Sequence, residues 1–504
     1  MQSTAAGGAA LTLPWGKRAN AAPKRGGTFR MGKAYGETTD TLDPGTVTNG
    51  FTFSLMQGMH GYMTVVGTDG NLAADLATKW EATADAKTWT FELRKGVEYH
   101  SGKPFTSQDV IVAINHHRGE DSGSAAKTIV EAIKDIRADG THRVVFELEA
   151  GNADFPFILS DVHLAIVPEK DGKPDWQSGD GCGSYILESF EPGIRAFLKR
   201  NPNLYTDDKA FFDEIEMLAL VDLNARTTAL VSGEVDGIDR LDLKTVGLLE
   251  KRPGVDIHTV SGNQHYTFAM STNKDPFTDN HVRLALKYGV NREELVEKIL
   301  FGYGTVGNDH PIGRGQRFFN DELAQTTYDP DKARYHLKQA GMESLSVDLS
   351  AADAAFGGAV DAAVLFQNSA KDAGIDINVV REPNDGYWSD VWLKKPFTAV
   401  YWNGRPVEDQ MFTTAYQTGA AWNDSFWSNE RFDELLLRAR EELDETTRRE
   451  MYYEMQAILN REGGVIVPMF ASYVFATTDN VGHNEFASNY DADGERWMER
   501  WWFT

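Results

Sequence analysis

The alternation of apolar and polar positions is clearest between residues 80 and 115. Trp89, Phe91 and Leu93 alternate with polar neighbours, which is the period-2 pattern of a strand with one buried face. Glycine and proline mark two turns over the next ten residues. Thr106 and Asp109 then stand three residues apart, as in a capping box, ahead of an apolar helical face. The stretch predicts a strand, two turns and a helix, and it carries no catalytic chemistry.

The rest of the chain continues to alternate between strand and helix patterns. Strands are predicted at 26–31, 144–146, 162–167, 185–190, 375–380 and 397–400. Helices are predicted within 51–66, after residue 279, from 291, from 330, and over 429–462 as the longest pattern. No repeat of about 20–50 residues is visible, which argues against a solenoid. The pattern therefore predicts an α/β protein.

Length and charge restrict the class of protein. A chain of 504 residues is too long for one core and favours about three domains. Its net charge of −25 argues against binding to nucleic acid or to anionic lipid surfaces. No apolar run approaches the ~18 residues of a membrane span, so we expect no membrane insertion. The single cysteine, Cys182, excludes an intramolecular disulfide.

The first 23 residues resemble the end of an export signal. Ala19-Asn20-Ala21 has the small-x-small pattern of a cleavage site, and Lys17-Arg18 follows a weakly apolar segment. A basic pair placed after the apolar segment is similar to the tail of a twin-arginine signal. A disordered leader without a function is the alternative. In both cases the folded protein is expected to begin near Lys24.

The sequence has no constellation of catalytic residues. It contains no nucleophile elbow, no phosphate-binding loop motif and no zinc-protease helix motif. His116 and His117 are adjacent on a helix and point in different directions, which is poor spacing for a metal. A small thiol filling a turn explains Cys182 better than a nucleophile does. The sequence therefore predicts no catalytic residue, no metal ligand and no cofactor.

The segment from Trp80 to Val110 resembles a signature of the extracytoplasmic solute-binding proteins of ABC importers, family 5, the oligopeptide-, dipeptide- and nickel-binding type. The Gly26-Gly27-Thr28 opening and the stretch from Asn224 to Asp236 match the same family. The resemblance implies a two-lobed periplasmic-binding-protein fold (type II, similar to cluster C) with an extra subdomain in the first lobe. It places the first lobe at 24–60, 182–262 and 477–504, the extra subdomain at 61–181, and the second lobe at 263–476.

The resemblance also implies how such a protein works. Hinges near 263–270 and 472–480 would let the lobes close over a ligand, which a membrane permease with its ATPase subunits then receives. The protein is expected to be a periplasmic monomer that breaks no bond. An enzyme built on this scaffold is the distant alternative, and a receptor that presents its ligand to a sensor is another.

The ligand site is expected after the strand at 397–400, because ligands of α/β folds bind beyond the carboxyl ends of strands. Peptide-binding members of the family have a Trp-x-Gly/Ala-Asp pattern here, whose Asp pairs with the peptide's ammonium group. This chain has Arg405 at the matching position. A guanidinium suits a carboxylate or phosphate instead. The alternative is that Arg405 only forms an ion pair with Glu408 or Asp409.

The predicted ligand is a small polar solute with a carboxylate, such as a modified amino acid, an opine-like conjugate or a modified short peptide. An ordinary di- or oligopeptide with its carboxyl end at Arg405 is the second choice. Beside Arg405, the candidate ligand-binding residues are Trp402, Asn403, Gly404, Tyr35, Cys182, Gly183, Trp388, Arg381, Trp422 and Asp409.

Overall fold

The computed structural model describes residues 23–504, and the predicted export-signal remnant therefore lies almost entirely outside the described residues. Lys24 pairs with Phe503 in an isolated bridge. The predicted helix after Thr106 is confirmed, with the Asp109 carboxylate accepting from the Thr106 backbone N–H at 2.7 Å. The α-helices are α1 (Gly50–Met59), α2 (Ser107–Asn115), α3 (Lys127–Val130), α4 (Phe155–Ile158), α5 (Leu223–Ser232), α6 (Val246–Leu249), α7 (Asn280–Gly289), α8 (Arg292–Ile299), α9 (Pro330–Gln339), α10 (Ala359–Lys371), α11 (Glu408–Ala415), α12 (Glu430–Glu441), α13 (Glu445–Glu462), α14 (Asp491–Gly494) and α15 (Trp497–Arg500).

The strands alternate with these helices along the chain. They are β1 (Thr28–Lys33), β2 (Thr64–Val66), β3 (Leu72–Ala74), β4 (Ala77–Ala82), β5 (Thr88–Leu93), β6 (Ile133–Ala138), β7 (Arg143–Leu148), β8 (Glu169–Lys170), β9 (Lys173–Pro174), β10 (Tyr185–Glu191), β11 (Arg195–Arg200), β12 (Glu214–Ala219), β13 (Gly237–Ile238), β14 (Val255–Met270), β15 (Gly304–Val306), β16 (Leu345–Ala351), β17 (Ile375–Arg381), β18 (Phe397–Trp402), β19 (Val465–Thr478), β20 (Val481–Gly482) and β21 (Trp502–Phe503).

The two longest strands, β14 and β19, run antiparallel through the middle of the largest sheet. On one side of them lie β13, β1, β12, β11 and β10, and on the other lie β18, β16 and β17. The pairing of β14 with β19 shifts between Ser261 and His265, which interrupts the ladder. The predicted hinges fall on these two strands. The lobe boundaries and the hinges themselves stay predictions.

Residues 63–182 pack around a hydrophobic core of their own. A four-stranded sheet in the order β4-β5-β7-β6 forms one wall of this core. Trp89, Phe91 and Leu93 of β5 point inward and are at most 4% exposed, as their alternation predicts. The extra subdomain at 61–181 stays a prediction.

Two predicted elements differ from the structure. The pattern over 429–462 is two helices rather than one, because the chain leaves the helix after Glu441 and Asp444 caps α13 by accepting from the Thr447 N–H. Residues 162–167 are buried except for the partly exposed His163, but they make only one isolated bridge, between Ile166 and Gly61, so they are not a strand. Among the helices of residues 23–504, none combines the length and the apolar content of a membrane span.

Candidate functional site

The segment from Asn403 to Asp409 follows the carboxyl end of β18, as predicted. Trp402, the last residue of that strand, lies opposite His265 of β14. Gly404 comes so close to β14 that an added Cβ would stand 2.5 Å from the Cβ of Asn263. Only glycine permits this approach. The site is therefore built where β18 ends against the irregular part of β14.

Arg405 is half-buried and has no acidic partner within ion-pair distance among residues 23–504. Its Nη1 donates to the carbonyl oxygens of Asn403 at 3.2 Å and Gly404 at 3.3 Å. Burial lowers its pKa from the usual value, and Tyr490 acts in the opposite direction. The guanidinium is thus placed near Tyr490, with donors left over for a ligand.

The two nearby carboxylates are engaged elsewhere. Asp409 accepts from Nε of Arg440 at 3.1 and 3.2 Å, and Glu408 accepts from the backbone N–H of Phe318 at 2.8 Å. Burial raises the pKa of both acids. The alternative in which Arg405 pairs with Glu408 or Asp409 is therefore wrong.

His265 stands next to this guanidinium on β14. Its Nδ1 is 3.2 Å from the carbonyl oxygen of Asn263, and its Nε2 has no hydrogen-bond partner within the protein. Burial lowers the pKa of His265 to about 4, and the charge of Arg405 contributes to the shift. The imidazole is therefore neutral near pH 7 and can exchange a hydrogen bond through Nε2. His265 is not among the residues that the sequence predicts for the site.

Four tryptophans surround the end of β18. Trp392 lies between the others, with ring centroids 5.8 Å from Trp388, 6.3 Å from Trp402 and 6.0 Å from Trp422. Trp402 is 5% exposed, whereas Trp388 is 39% and Trp422 is 50% exposed. Trp402 is therefore a packing residue, whereas Trp388 and Trp422 present aromatic faces that a ligand can use.

Asn403 and Arg381 are both exposed. Asn403 accepts from the side chain of Gln264 at 3.1 Å, and Arg381 ends β17 with no ion pair to any described residue. The ring of Tyr35 carries the guanidinium of Arg240 at 4.8 Å from its centroid. Asn403 and Arg381 are open to solvent, whereas Tyr35 is partly buried. Within residues 23–504, neither Arg381 nor Tyr35 shares a hydrogen bond or an ion pair with Arg405.

Cys182 and Gly183 lie in the turn before β10 and are fully buried. Burial raises the pKa of the Cys182 thiol to about 12, so it is not a nucleophile at neutral pH. The Gly183 carbonyl accepts from the side chain of Asn201 at 3.0 Å and lies 3.2 Å from Nε2 of His100. The turn acts as a packing element, and the structure does not bring either residue to Arg405.

A buried charge cluster beside Tyr35 was missed by the sequence analysis. Lys33 lies 2.8 Å from a carboxylate oxygen of Asp239 and 2.6 Å from one of Glu495, and Arg240 lies 3.4 Å from Asp491. Burial raises the pKa of Glu495 to about 7. A lysine in the buried opening strand is the one sequence signal that could have indicated this cluster.

Comparison with known proteins identifies the class. Residues 71–424 match the family model of the bacterial extracellular solute-binding proteins, family 5. The chain belongs to this family and is a substrate-binding component of an ABC transporter. It is similar to the dipeptide-binding protein of Escherichia coli K12, at 25% identity over 437 residues, covering 78% of this chain and 79% of that protein.

Two solved structures confirm the two-lobed α/β fold. The unliganded open form of the periplasmic murein tripeptide-binding protein MppA has a TM-score of 0.83 at 18% identity and covers 95% of this chain and 98% of that one. AgaA from A. tumefaciens R10, solved with agropinic acid, has a TM-score of 0.72 at 21% identity and covers 95% of this chain and 99% of that one.

Proposed function

We propose that this protein captures a small polar solute with a carboxylate in the periplasm and delivers it to a membrane permease. The solute is a modified amino acid, an opine-like conjugate or a modified short peptide. The observation that carries the proposal is Arg405, a half-buried guanidinium at the end of β18 with no carboxylate partner among the described residues. A ligand carboxylate supplies the missing negative charge and can accept two parallel hydrogen bonds.

The same geometry disfavours a free peptide amino terminus at this position. An ammonium group beside the guanidinium would place two like charges together, and closure of the lobes over them would bring the cost to several kcal/mol. The agropinic acid complex of AgaA supports an acidic ligand on this fold. The dipeptide-binding protein of E. coli supports the second candidate, a di- or oligopeptide bound with its carboxyl end at Arg405.

Native mass spectrometry of the purified protein, followed by denaturation and identification of the released compounds, distinguishes the two candidates. A single small acidic compound is the result expected from the proposal. A ladder of unmodified peptide masses would show that the second candidate is right. Release of neutral or cationic compounds alone would contradict both.

Replacing Arg405 by alanine should weaken binding of the released acid by about 30-fold to 1,000-fold, because a charge-assisted pair that is buried when the lobes close is worth about 2–4 kcal/mol. Arg405→Lys keeps the charge but not the fork and should recover part of this loss. Isothermal titration calorimetry measures both. Arg438→Ala, which removes an exposed guanidinium paired with Glu434, is the control. Equal affinity of Arg405→Ala and wild type would refute the anchor.

A further inference from the structure

Two segments of the chain meet beside Arg405, one from each predicted lobe. Pro406, the residue after Arg405, and Asn489, the residue before Tyr490, line the same small cavity of about 20 Å³. This volume holds no more than one water molecule, so the two segments lie close together. Arg405 and Tyr490 each influence the pKa of the other, which agrees with this proximity. A guanidinium of the predicted second lobe therefore lies near a phenol of the predicted first lobe.

Both groups have hydrogen-bonding capacity that the protein leaves unused. Arg405 donates only through Nη1, to two carbonyl oxygens of its own segment, so its Nε and Nη2 have no partner among residues 23–504. The hydroxyl of Tyr490 forms no hydrogen bond within the same range, although the ring packs 5.7 Å from that of Phe53. Burial raises the pKa of Tyr490 well above its usual value, so the hydroxyl keeps its proton. It is therefore a donor that is available to a ligand.

The backbone after Tyr490 is held in an unfavourable conformation. Residues 492–495 all have a positive φ, and three of the four are not glycine. The turn is fixed by ion pairs of three buried acids, which are Asp491 with Arg240 at 3.4 Å, Asp493 with Arg500 at 3.0 Å and Glu495 with Lys33 at 2.6 Å. Such strain persists only where the surrounding structure enforces it, and it is typical of segments that hold ligands. The turn thus fixes the position of Tyr490.

A carboxylate is the group that suits this pair of donors. Its two oxygens accept at the same time, one from the guanidinium and one from the phenol. An ester or an amide has a single carbonyl oxygen without a full charge, and an ammonium group has no acceptor. Asp161, an acid that also influences the pKa of Tyr490, is engaged by Nδ1 of His163 at 2.6 Å. Its charge therefore does not oppose a ligand carboxylate.

We infer that Arg405 and Tyr490 hold the same carboxylate of the ligand from opposite sides of the cleft, as a carboxylate clamp. This inference rests on the proposed function and narrows it. The carboxyl group of the ligand must be free rather than esterified or amidated, and once bound it joins the two predicted lobes. Tyr490 is not among the residues that the sequence predicts for the site.

Acetate and acetamide, the smallest carboxylate and its neutral isostere, test the clamp with the full chain. They contain only the group that the clamp recognises, so the test does not depend on the rest of the ligand. Saturation-transfer NMR of the probes measures their binding, with a dissociation constant for acetate on the order of 1 mM or weaker, because a probe of this size offers few contacts. Wild type should bind acetate at least about tenfold more tightly than acetamide.

Tyr490→Phe removes only the hydroxyl and should weaken acetate binding by about tenfold, because a hydrogen bond to a charged acceptor is lost. Urea unfolding should show an unchanged stability, since this hydroxyl has no partner within the protein. Tyr453→Phe, which removes a hydroxyl that donates to Asp321 at an exposed site, is the control and should bind acetate like wild type.

Fluorine NMR of protein labelled with 3-fluorotyrosine reports the contact itself. The chain has 17 tyrosines, and the resonance of Tyr490 is the one missing from the spectrum of Tyr490→Phe. Acetate should shift this resonance in wild type. The shift should be lost in Arg405→Ala at the same acetate concentration, because the hydroxyl alone does not hold the carboxylate.

The outcomes separate this inference from the proposed function. Acetate binding that is lost in Arg405→Ala but unchanged in Tyr490→Phe, with a Tyr490 resonance that does not move, overturns the clamp and keeps the anion anchor. Acetate binding that survives Arg405→Ala overturns both. Absence of acetate binding to wild type overturns the clamp, while the compound released from the purified protein still decides the proposed function.

Discussion

Replacing Asp154 by alanine should lower the free energy of unfolding by about 3–5 kcal/mol, because it leaves the buried Arg448 without its counter-ion and leaves Arg317 only the exposed Glu445, 3.7 Å away. The Asp154 carboxylate is 1% exposed. One of its oxygens accepts from Nη2 of Arg317 at 2.7 Å and from Nη1 of Arg448 at 3.0 Å, and the other accepts from Nη2 of Arg448 at 2.6 Å. Burial alone would raise the pKa of Asp154, but the two guanidiniums lower it below its usual value.

These arginines cannot easily turn to water when the carboxylate is removed. The guanidinium of Arg317 lies 4.5 Å from the ring centroid of Phe157 and 4.2 Å from that of Phe318, and the Arg448 side chain is 3% exposed. The cluster also joins two parts of the protein. Asp154 belongs to the predicted extra subdomain, whereas both arginines belong to the predicted second lobe. Loss of the pair should therefore loosen this contact as well as destabilise the fold.

Urea unfolding near neutral pH, followed by both fluorescence and circular dichroism, measures the change. Glu147→Ala is the matched control, because Glu147 forms an ion pair with Lys134 in which both side chains are about half exposed, and such pairs contribute less than about 1 kcal/mol. A loss below about 1 kcal/mol in Asp154→Ala would mean that the two guanidiniums are hydrated rather than buried.

The sequence predicted local structure well where neighbouring residues decide it. The β5 alternation and the Thr106–Asp109 cap depend on residues a few positions apart, and both are as expected. The break between α12 and α13 was missed because the apolar spacing continues across it. The local signal of the new helix was Asp444, the N-cap residue, followed three positions later by Thr447, whose backbone N–H and hydroxyl donate to the Asp444 carboxylate.

The charged contacts could not be predicted, because they join distant parts of the chain. Asp154 and Arg448 are 294 positions apart, and Lys33 and Glu495 are 462 apart. The position of Arg405 followed from the strand before it. That Glu408 and Asp409 do not pair with Arg405 could not be predicted, because Glu408 accepts from Phe318 and Asp409 accepts from Arg440, both far away in the sequence.

Four buried histidines should make the protein unstable in mild acid. Burial lowers the pKa of His60 and His310 to about 3, and of His117 and His265 to about 4. Each ring is at most 2% exposed and stays neutral in the folded state near pH 5. The unfolded chain takes up protons on all four below about pH 6.5, so stability falls as the pH falls through this range.

Four groups oppose this trend, and a fifth histidine adds to it. Burial raises the pKa of Glu495 to about 7 and that of Asp424 and Asp491 to about 6, and the pKa of His163 is raised because its pairing with Asp161 outweighs burial. These four hold protons more tightly in the folded state, which adds stability as the pH falls, whereas burial lowers the pKa of His258 to about 3. Between one and two protons remain in favour of the unfolded state, so we expect a loss of about 1–2 kcal/mol per pH unit between about pH 6.5 and 5.

Urea midpoints measured across this range, with the slope m unchanged, give the loss directly. His310 supplies the specific variant, because both of its ring nitrogens are buried without a partner. His310→Gln removes one titrating group and should reduce the loss of stability by about 1 kcal/mol per pH unit. Near pH 8 histidine is neutral in both states, so the pH dependence of stability should there be the same in the variant and in wild type. A wild-type stability that stays flat down to pH 5 would mean that these histidines take up protons in the folded state, which their burial opposes.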